Sequence, residues 1–262
     1  MHSTSLYISI LLLSFGLSCR ETPATAALLN GAQLPANTLI PDVQISELNC
    51  WVEQGQCFVT GICTNESSSW QKIWLKAEPL DKDGKPLKIK DLSAVLLAPF
   101  SSAIAPKGRS SFFAGWAVSD FSGIPDSCIV SGAAAINVSA GSILLVEQIS
   151  GVKMLAPQKE GIVATTEIAW QINAVLNNPM PIPAAHPRLE LLLFGTDNRL
   201  WLSTMLNPED PQTRQMLSVE KEGPMQAGEQ RSVGVYAFYE RMPQALKENK
   251  IGRVEMLAFD ER

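Results

Sequence analysis

Histidine is almost missing from this sequence, with 2 in 262 residues, and the mature part keeps one of them, His186, in Ala184-Ala185-His186-Pro187. A lone imidazole without placed partners satisfies neither a catalytic triad nor a metal site. The motifs that carry common chemistries are missing too. There is no GxSxG elbow, no HExxH, no phosphate-cradling GxxxxGK[ST] and no GxGxxG. No CxxC pair occurs, so the spacing of Cys50, Cys57, Cys63 and Cys128 is not that of a zinc site. Carboxylates fall in surface-like settings (Asp81 and Asp83, Glu209-Asp210, Asp260-Glu261), and nothing nominates a facing pair for acid–base work. The expectation is a protein that is not an enzyme and has no cofactor and no metal.

A basic stripe is absent as well. Residues 40–140 hold 8 basic and 10 acidic side chains and residues 141–262 hold 12 and 15, so both halves are mildly acidic and nothing would neutralise a polyphosphate. Nucleic acid is excluded as a partner. A composition 46% hydrophobic and 18% charged excludes a disordered chain.

Only one apolar run stands out, Leu6 to Leu17, within a stretch (1–18) that has no Asp, Glu, Lys or Arg. At 12 residues it is too short for a spanning helix, which needs about 20, and it fits the core of a signal peptide. It ends in Gly16-Leu17-Ser18-Cys19. That sequence resembles the lipobox of bacterial lipoproteins, in which a small residue precedes a cysteine that is acylated and becomes the new N-terminus. The resemblance implies lipidation at Cys19 by two or three acyl chains, enough for stable membrane anchoring. It also implies outer-membrane placement, since Arg20 is not the Asp that retains lipoproteins in the inner membrane. Ordinary cleavage after Ala24-Thr25-Ala26 is the rival. Residues 19–39 have neither sustained period nor cap and read as a lipidated tether reaching roughly 25 Å as a flexible coil.

The rest, 40–140 and 141–262, reads as one unit written twice. Gln44-Ile45-Ser46 recurs as Gln148-Ile149-Ser150, and Cys57 to Asn65 lines up with Trp170 to Asn178. Within the latter pair, Cys57, Val59, Gly61, Cys63 and Trp170, Ile172, Ala174, Leu176 alternate at the period of a half-buried strand. Asn65 and Asn178 then stand at strand exits, where a short side chain can bond the turning backbone. Asp83-Gly84-Lys85 and Asp197-Asn198-Arg199 are matching hairpin turns suited to positive φ. Pro106-Lys107-Gly108-Arg109 and Gln226-Ala227-Gly228-Glu229 each precede a strand, and an apolar strand closes each half (129–136 and 253–259). Helix signals are sparse, with 242–250 a short helix or loop. The pattern predicts an all-β fold of two tandem β-sandwiches, each long enough for its own core.

This order of strand, Asn exit, Asp-Gly hairpin and small-Gly turn resembles the FxLYD-type immunoglobulin-like domain of bacterial envelope proteins. The second half is similar to the exported domain of unknown function of bacterial zinc-ribbon membrane proteins. The residues concerned are Asn177-Asn178, Pro187-Arg188-Leu189-Glu190-Leu191, Thr196-Asp197-Asn198, Asn207-Pro208-Glu209-Asp210 and Ala227-Gly228-Glu229. The likeness spans roughly 165–262 and, more weakly, 40–139; the zinc ribbon itself is absent. It implies immunoglobulin-like sandwiches with a binding or structural role and no catalytic residues.

Four cysteines in an exported half imply disulfides. Cys57 and Cys63, about 20 Å apart along one strand, cannot pair. Cys50–Cys57 with Cys63–Cys128 is the preferred set; a simple up-and-down chain would instead leave Cys63 buried and free. Of the tryptophans Trp51, Trp70, Trp74, Trp116, Trp170 and Trp201, most fall at core strand positions. Trp70 and Trp201, near strand ends, are the partner-binding candidates. Membrane contact through Cys19 and contact with another envelope protein through sheet edges or aromatic patches are the expected partnerships, within a secretion, motility or envelope-biogenesis assembly. A module binding glycan or peptide between the two domains is the alternative.

Overall fold

The computed structural model describes residues 38–90, 92–154, 168–207, 210, 213, 216–238, 243–249 and 251–261. The signal segment, Cys19 and the tether up to residue 37 lie outside the described residues, as does the Trp170 side chain.

Among the described residues the chain is almost wholly β. Its strands are β1 (Val43–Glu53), β2 (Gln56–Asn65), β3 (Gln71–Leu80), β4 (Val95–Leu97), β5 (Arg109–Ala117), β6 (Ser127–Asn137), β7 (Leu145–Met154), β8 (Ile168–Asn177), β9 (Pro187–Gly195), β10 (Leu200–Leu206), β11 (Leu217–Val219), β12 (Gln230–Phe238) and β13 (Ile251–Asp260). One short helix, α1 (Gln244–Asn249), follows Pro243 in the 242–250 stretch. Sheet β1-β2-β5 packs on sheet β4-β3-β6, and sheet β11-β12-β8-β7 packs on sheet β10-β9-β13. All pairings are antiparallel. The expected pair of all-β sandwiches is therefore present, and the pairing order of the second repeats that of the first with β11 added beside β12.

Each core follows from strand alternation. Cys57, Val59 and Cys63 of β2 meet Ile73, Leu75 and Ala77 of β3 and Phe112 of β5 in the first core. Ile172, Ala174 and Leu176 of β8 meet Leu189, Leu191 and Leu193 of β9 in the second. Gly61 is small for a reason: a Cβ there would stand 2.6 Å from the Phe112 ring, its register partner across β5.

The two exit asparagines are built alike. Asn65 and Asn178 are fully buried. The Asn65 amide donates to the carbonyls of Ser69 and Ile104, and the Asn178 amide donates to those of Ile182, Met225 and Gln226. Each side-chain oxygen accepts from the N–H two residues on. The hairpin match also holds, with Gly84 at φ +75° and Asn198 at φ +60° closing equivalent turns.

Two other matches slip. Lys107 N–H donates to the Asn65 carbonyl and Gly228 N–H to that of Asn178, so Lys107 (φ +59°) corresponds to Gly228 (φ +71°), one residue away from the Gly108–Gly228 alignment. Gly108 is needed for contact instead, since a Cβ would meet the Ala105 carbonyl oxygen at 2.9 Å. At the other slip, Gln44 opposes Thr64 and Leu145 opposes Asn177, each next to its buried asparagine. Gln44 therefore matches Leu145 rather than Gln148. Three residues further on, Glu47 (φ +53°) and Gln148 (φ +52°) form matching bulges. Leu39, the last residue read as tether, exchanges two backbone hydrogen bonds with Ala135 of β6.

Candidate functional site

The site that organises the molecule is the junction between the sandwiches, and β9 builds it. Its core face is Leu189, Leu191 and Leu193. Its other face would be solvated in an isolated sandwich. Here it is covered, and Leu192, Phe194 and Leu200 of the second sandwich close on Ile62 of the first, all four at 0% exposure. β2 is likewise buried on both faces, with Thr60 and Ile62 behind its core side chains. A strand covered on both sides reads as a nearly unbroken apolar run, as Leu189 to Phe194 does.

Glu190 interrupts that run and is itself at 0% exposure. Its Oε1 accepts from the Ser110 hydroxyl at 2.7 Å. Its Oε2 accepts from the Ser111 N–H at 2.6 Å and the Ser111 hydroxyl at 2.5 Å. Ser203 of β10 donates to the Ser111 hydroxyl oxygen. The Ser111 carbonyl accepts from Phe100 N–H, so both backbone groups of Ser111 point away from β2, towards the free edge of its sheet. Glu190 thus caps an open strand edge of one sandwich with a carboxyl from the other. Burial pushes that carboxyl up to about 7, against the pull of the Ser111 and Ser110 hydrogen bonds and the more distant Arg109. Through these bonds the buried carboxyl joins the two sandwiches.

Polar and aromatic contacts surround this centre. Asn49 donates to the Leu200 carbonyl at 3.0 Å, and the N–H of Gln244 in α1 donates to Glu53 at 3.0 Å. Arg253 donates to Glu47 at 3.2 Å and Glu255 at 2.5 Å while its guanidinium lies 3.7 Å over the Phe194 ring. Arg109 reaches Glu255 at 3.2 Å. These half-exposed pairs each contribute about 0–1 kcal/mol and mainly fix orientation. Trp51 sits among Phe58, Phe113 and Trp201, with ring centroids 5.2–6.2 Å apart, and each such pair adds about 1 kcal/mol beyond area burial.

The two partner-binding candidates lie in different settings. Trp201, half-buried, packs edge-on against Trp51 at 5.2 Å across the junction, and its indole N–H is shared by the two Asp197 oxygens. Trp70 is half-buried just before β3. Large apolar side chains stand exposed on the outer strands: Leu145 and Ile149 on β7, Leu48 and Val52 on β1, and Ile129 on β6.

The four core cysteines are unbonded. Cys50 and Cys57 meet, with sulfurs 3.8 Å apart. Cys63 and Cys128 are buried free thiols in the same core. Neither the Cys50–Cys57 bridge nor the Cys63–Cys128 bridge is closed in the structure.

Between the sandwiches, where the alternative reading places a ligand groove, Ile62, Leu192, Phe194 and Leu200 pack together. A cavity of about 360 Å³ lies within the second sandwich, beneath β11, lined by Leu176, Leu206, Leu217 and Val233 together with Arg188, Lys221 and Arg231. Arg188 is bonded to Glu261, and Arg231 to Glu229 and three backbone carbonyls. The Arg231 hydrogen bond holds the Glu229 carboxyl down at about 2. His186, exposed, also lines the cavity, and its backbone N–H donates to the Asp260 carboxylate. Glu190 escaped the sequence reading, although a single carboxylate inside an apolar run was its signal.

No protein-family model matches the chain, and no curated protein matches it. Among solved structures, the crystal structure of red sea bream transglutaminase is similar at 13% identity and a TM-score of 0.21. That match covers 90% of this chain and 31% of the other, and at that score it carries no inference about activity. Among the described residues no helix is long and apolar enough to cross a membrane.

Proposed function

We propose that the chain is an exported lipoprotein, anchored to the outer membrane through Cys19, that acts without catalysis as a structural or accessory subunit of a larger envelope assembly in secretion, motility or envelope biogenesis. The observation that carries the reading is the junction. A hinged ligand-binding protein needs an open cleft between its domains, whereas here the contact is fully buried and capped by Glu190. Two sandwiches so joined form a rigid arm, suited to holding a contact surface at a set distance from a membrane. The exposed Leu145 and Ile149 on β7, an outer strand, are the surface such a partner would use.

Metabolic labelling with a fatty-acid analogue, followed by co-purification from detergent-solubilised envelopes, tests both parts. Label in the wild type and none in Cys19→Ser, with a stoichiometric protein partner lost on Ile149→Lys, is the expected result. An unlabelled chain that leaves membranes freely, or one with no stoichiometric partner, overturns it. The cavity beneath β11 favours one second reading, a periplasmic or surface module binding glycan or peptide. Saturable binding of such a ligand, abolished by Leu217→Trp, would select it.

A further inference from the structure

The Cys50–Cys57 pair has the placement of a working thiol couple. The β1–β2 hairpin turns through Gln54 (φ +50°) and Gly55 (φ +76°), the two-residue turn whose twist locks the strands in register. Cys50 opposes Val59 and Cys57 opposes Val52, so the two cysteines share the core face on a diagonal. Their sulfurs are in contact at 3.8 Å. Cys50 is half-buried at the strand surface and Cys57 is buried behind it. On the opposite face of the same hairpin stand Trp51 and Phe58, and Trp51 holds Trp201 across the junction.

We propose that Cys50 and Cys57 are a redox-active pair that closes into a cross-strand disulfide by exchange with a disulfide oxidant, Cys50 meeting the oxidant first. The Cys50 thiolate attacks one sulfur of the oxidant and releases one thiolate, leaving a mixed disulfide on Cys50. Cys57 then gives up its proton and attacks the Cys50 sulfur, releasing the second thiolate. Two protein thiols are oxidised to one disulfide, and the oxidant is reduced to two thiols. The division of labour agrees with the thiols' surroundings. The hydrogen bond from Cys57 pulls the Cys50 thiol down, while that bond and burial push Cys57 up. Burial holds Cys63 and Cys128 at about 12, so neither competes as the attacking thiolate. Closing the Cys50–Cys57 bridge ties together the hairpin that presents Trp51 to the second sandwich, which couples redox state to the stiffness of the junction.

The test uses the full chain carrying Cys19→Ser, reduced and then exposed to oxidised glutathione, with acid quenching, intact mass and peptide mapping. The expected sequence is a transient glutathione adduct on Cys50 followed by a single Cys50–Cys57 bridge, with Cys63 and Cys128 still free. Cys57→Ser should stop at the Cys50 adduct, and Cys50→Ser should leave Cys57 unmodified. Should either variant fail to fold, the wild-type time course decides the matter alone. A bridge to Cys63 or Cys128, a first adduct elsewhere, or four persistent thiols in the folded protein would overturn the proposal.

Discussion

Glu190→Gln and Glu190→Ala separate two things that the junction carboxyl does: it fills hydrogen bonds and it carries a proton. Alanine leaves the Ser111 N–H without its acceptor and strands the Ser110 and Ser111 hydroxyls. A buried donor left unpaired costs about 1–3 kcal/mol, so with the cavity the loss should be about 4 kcal/mol. Glutamine can keep its oxygen on the Ser111 N–H and turn its amide towards Ser110, at a cost of about 1 kcal/mol. The proton gives a second signature. This carboxyl keeps its proton up to about 7 in the folded protein, above its ordinary 4.5. Its contribution is therefore complete below pH 4.5 and is lost as pH rises through 7, about 3 kcal/mol in all. Urea unfolding of wild type and Glu190→Gln at pH 5, 6, 7 and 8 reads the difference between them. The wild type should lose its advantage as pH rises and fall below the variant by pH 8. Parallel pH profiles, or a glutamine variant as damaged as the alanine one, would refute the reasoning.

The repeat supplies matched comparisons. Asn65→Ala and Asn178→Ala should each cost about 2–3 kcal/mol in chemical denaturation, because both remove a buried amide bonded to two or three carbonyls. Gly228→Ala should cost about 1 kcal/mol for its φ of +71°, measured the same way. Trp201→Ala should cost about 3 kcal/mol through lost contact with Trp51, and the near-ultraviolet circular dichroism of the aromatic cluster should fall with it.

Much of the fold was legible because strand alternation and turn chemistry are local. The period in Cys57 to Cys63, the buried exits Asn65 and Asn178, and the Gly84 and Asn198 turns each show in a few neighbouring residues. Register was less legible. Gly108 lined up with Gly228 in the sequence, yet Lys107 takes the positive φ that matches Gly228 and Gly108 answers to crowding against Ala105. The junction was illegible as a contact, because which outer face of β2 meets which outer face of β9 depends on residues more than a hundred apart. Trp201 shows the same limit. Its place near a strand end fitted a free patch, and only docking brings Trp51 over it.

The account rests on the two sandwiches moving as one body, and residual dipolar couplings of the backbone N–H groups measure that directly. Couplings from 43–137 and 145–260 should fit a single alignment tensor in the wild type, and two in a junction variant such as Ile62→Lys. Two distinct tensors in the unaltered protein would contradict the rigid arm.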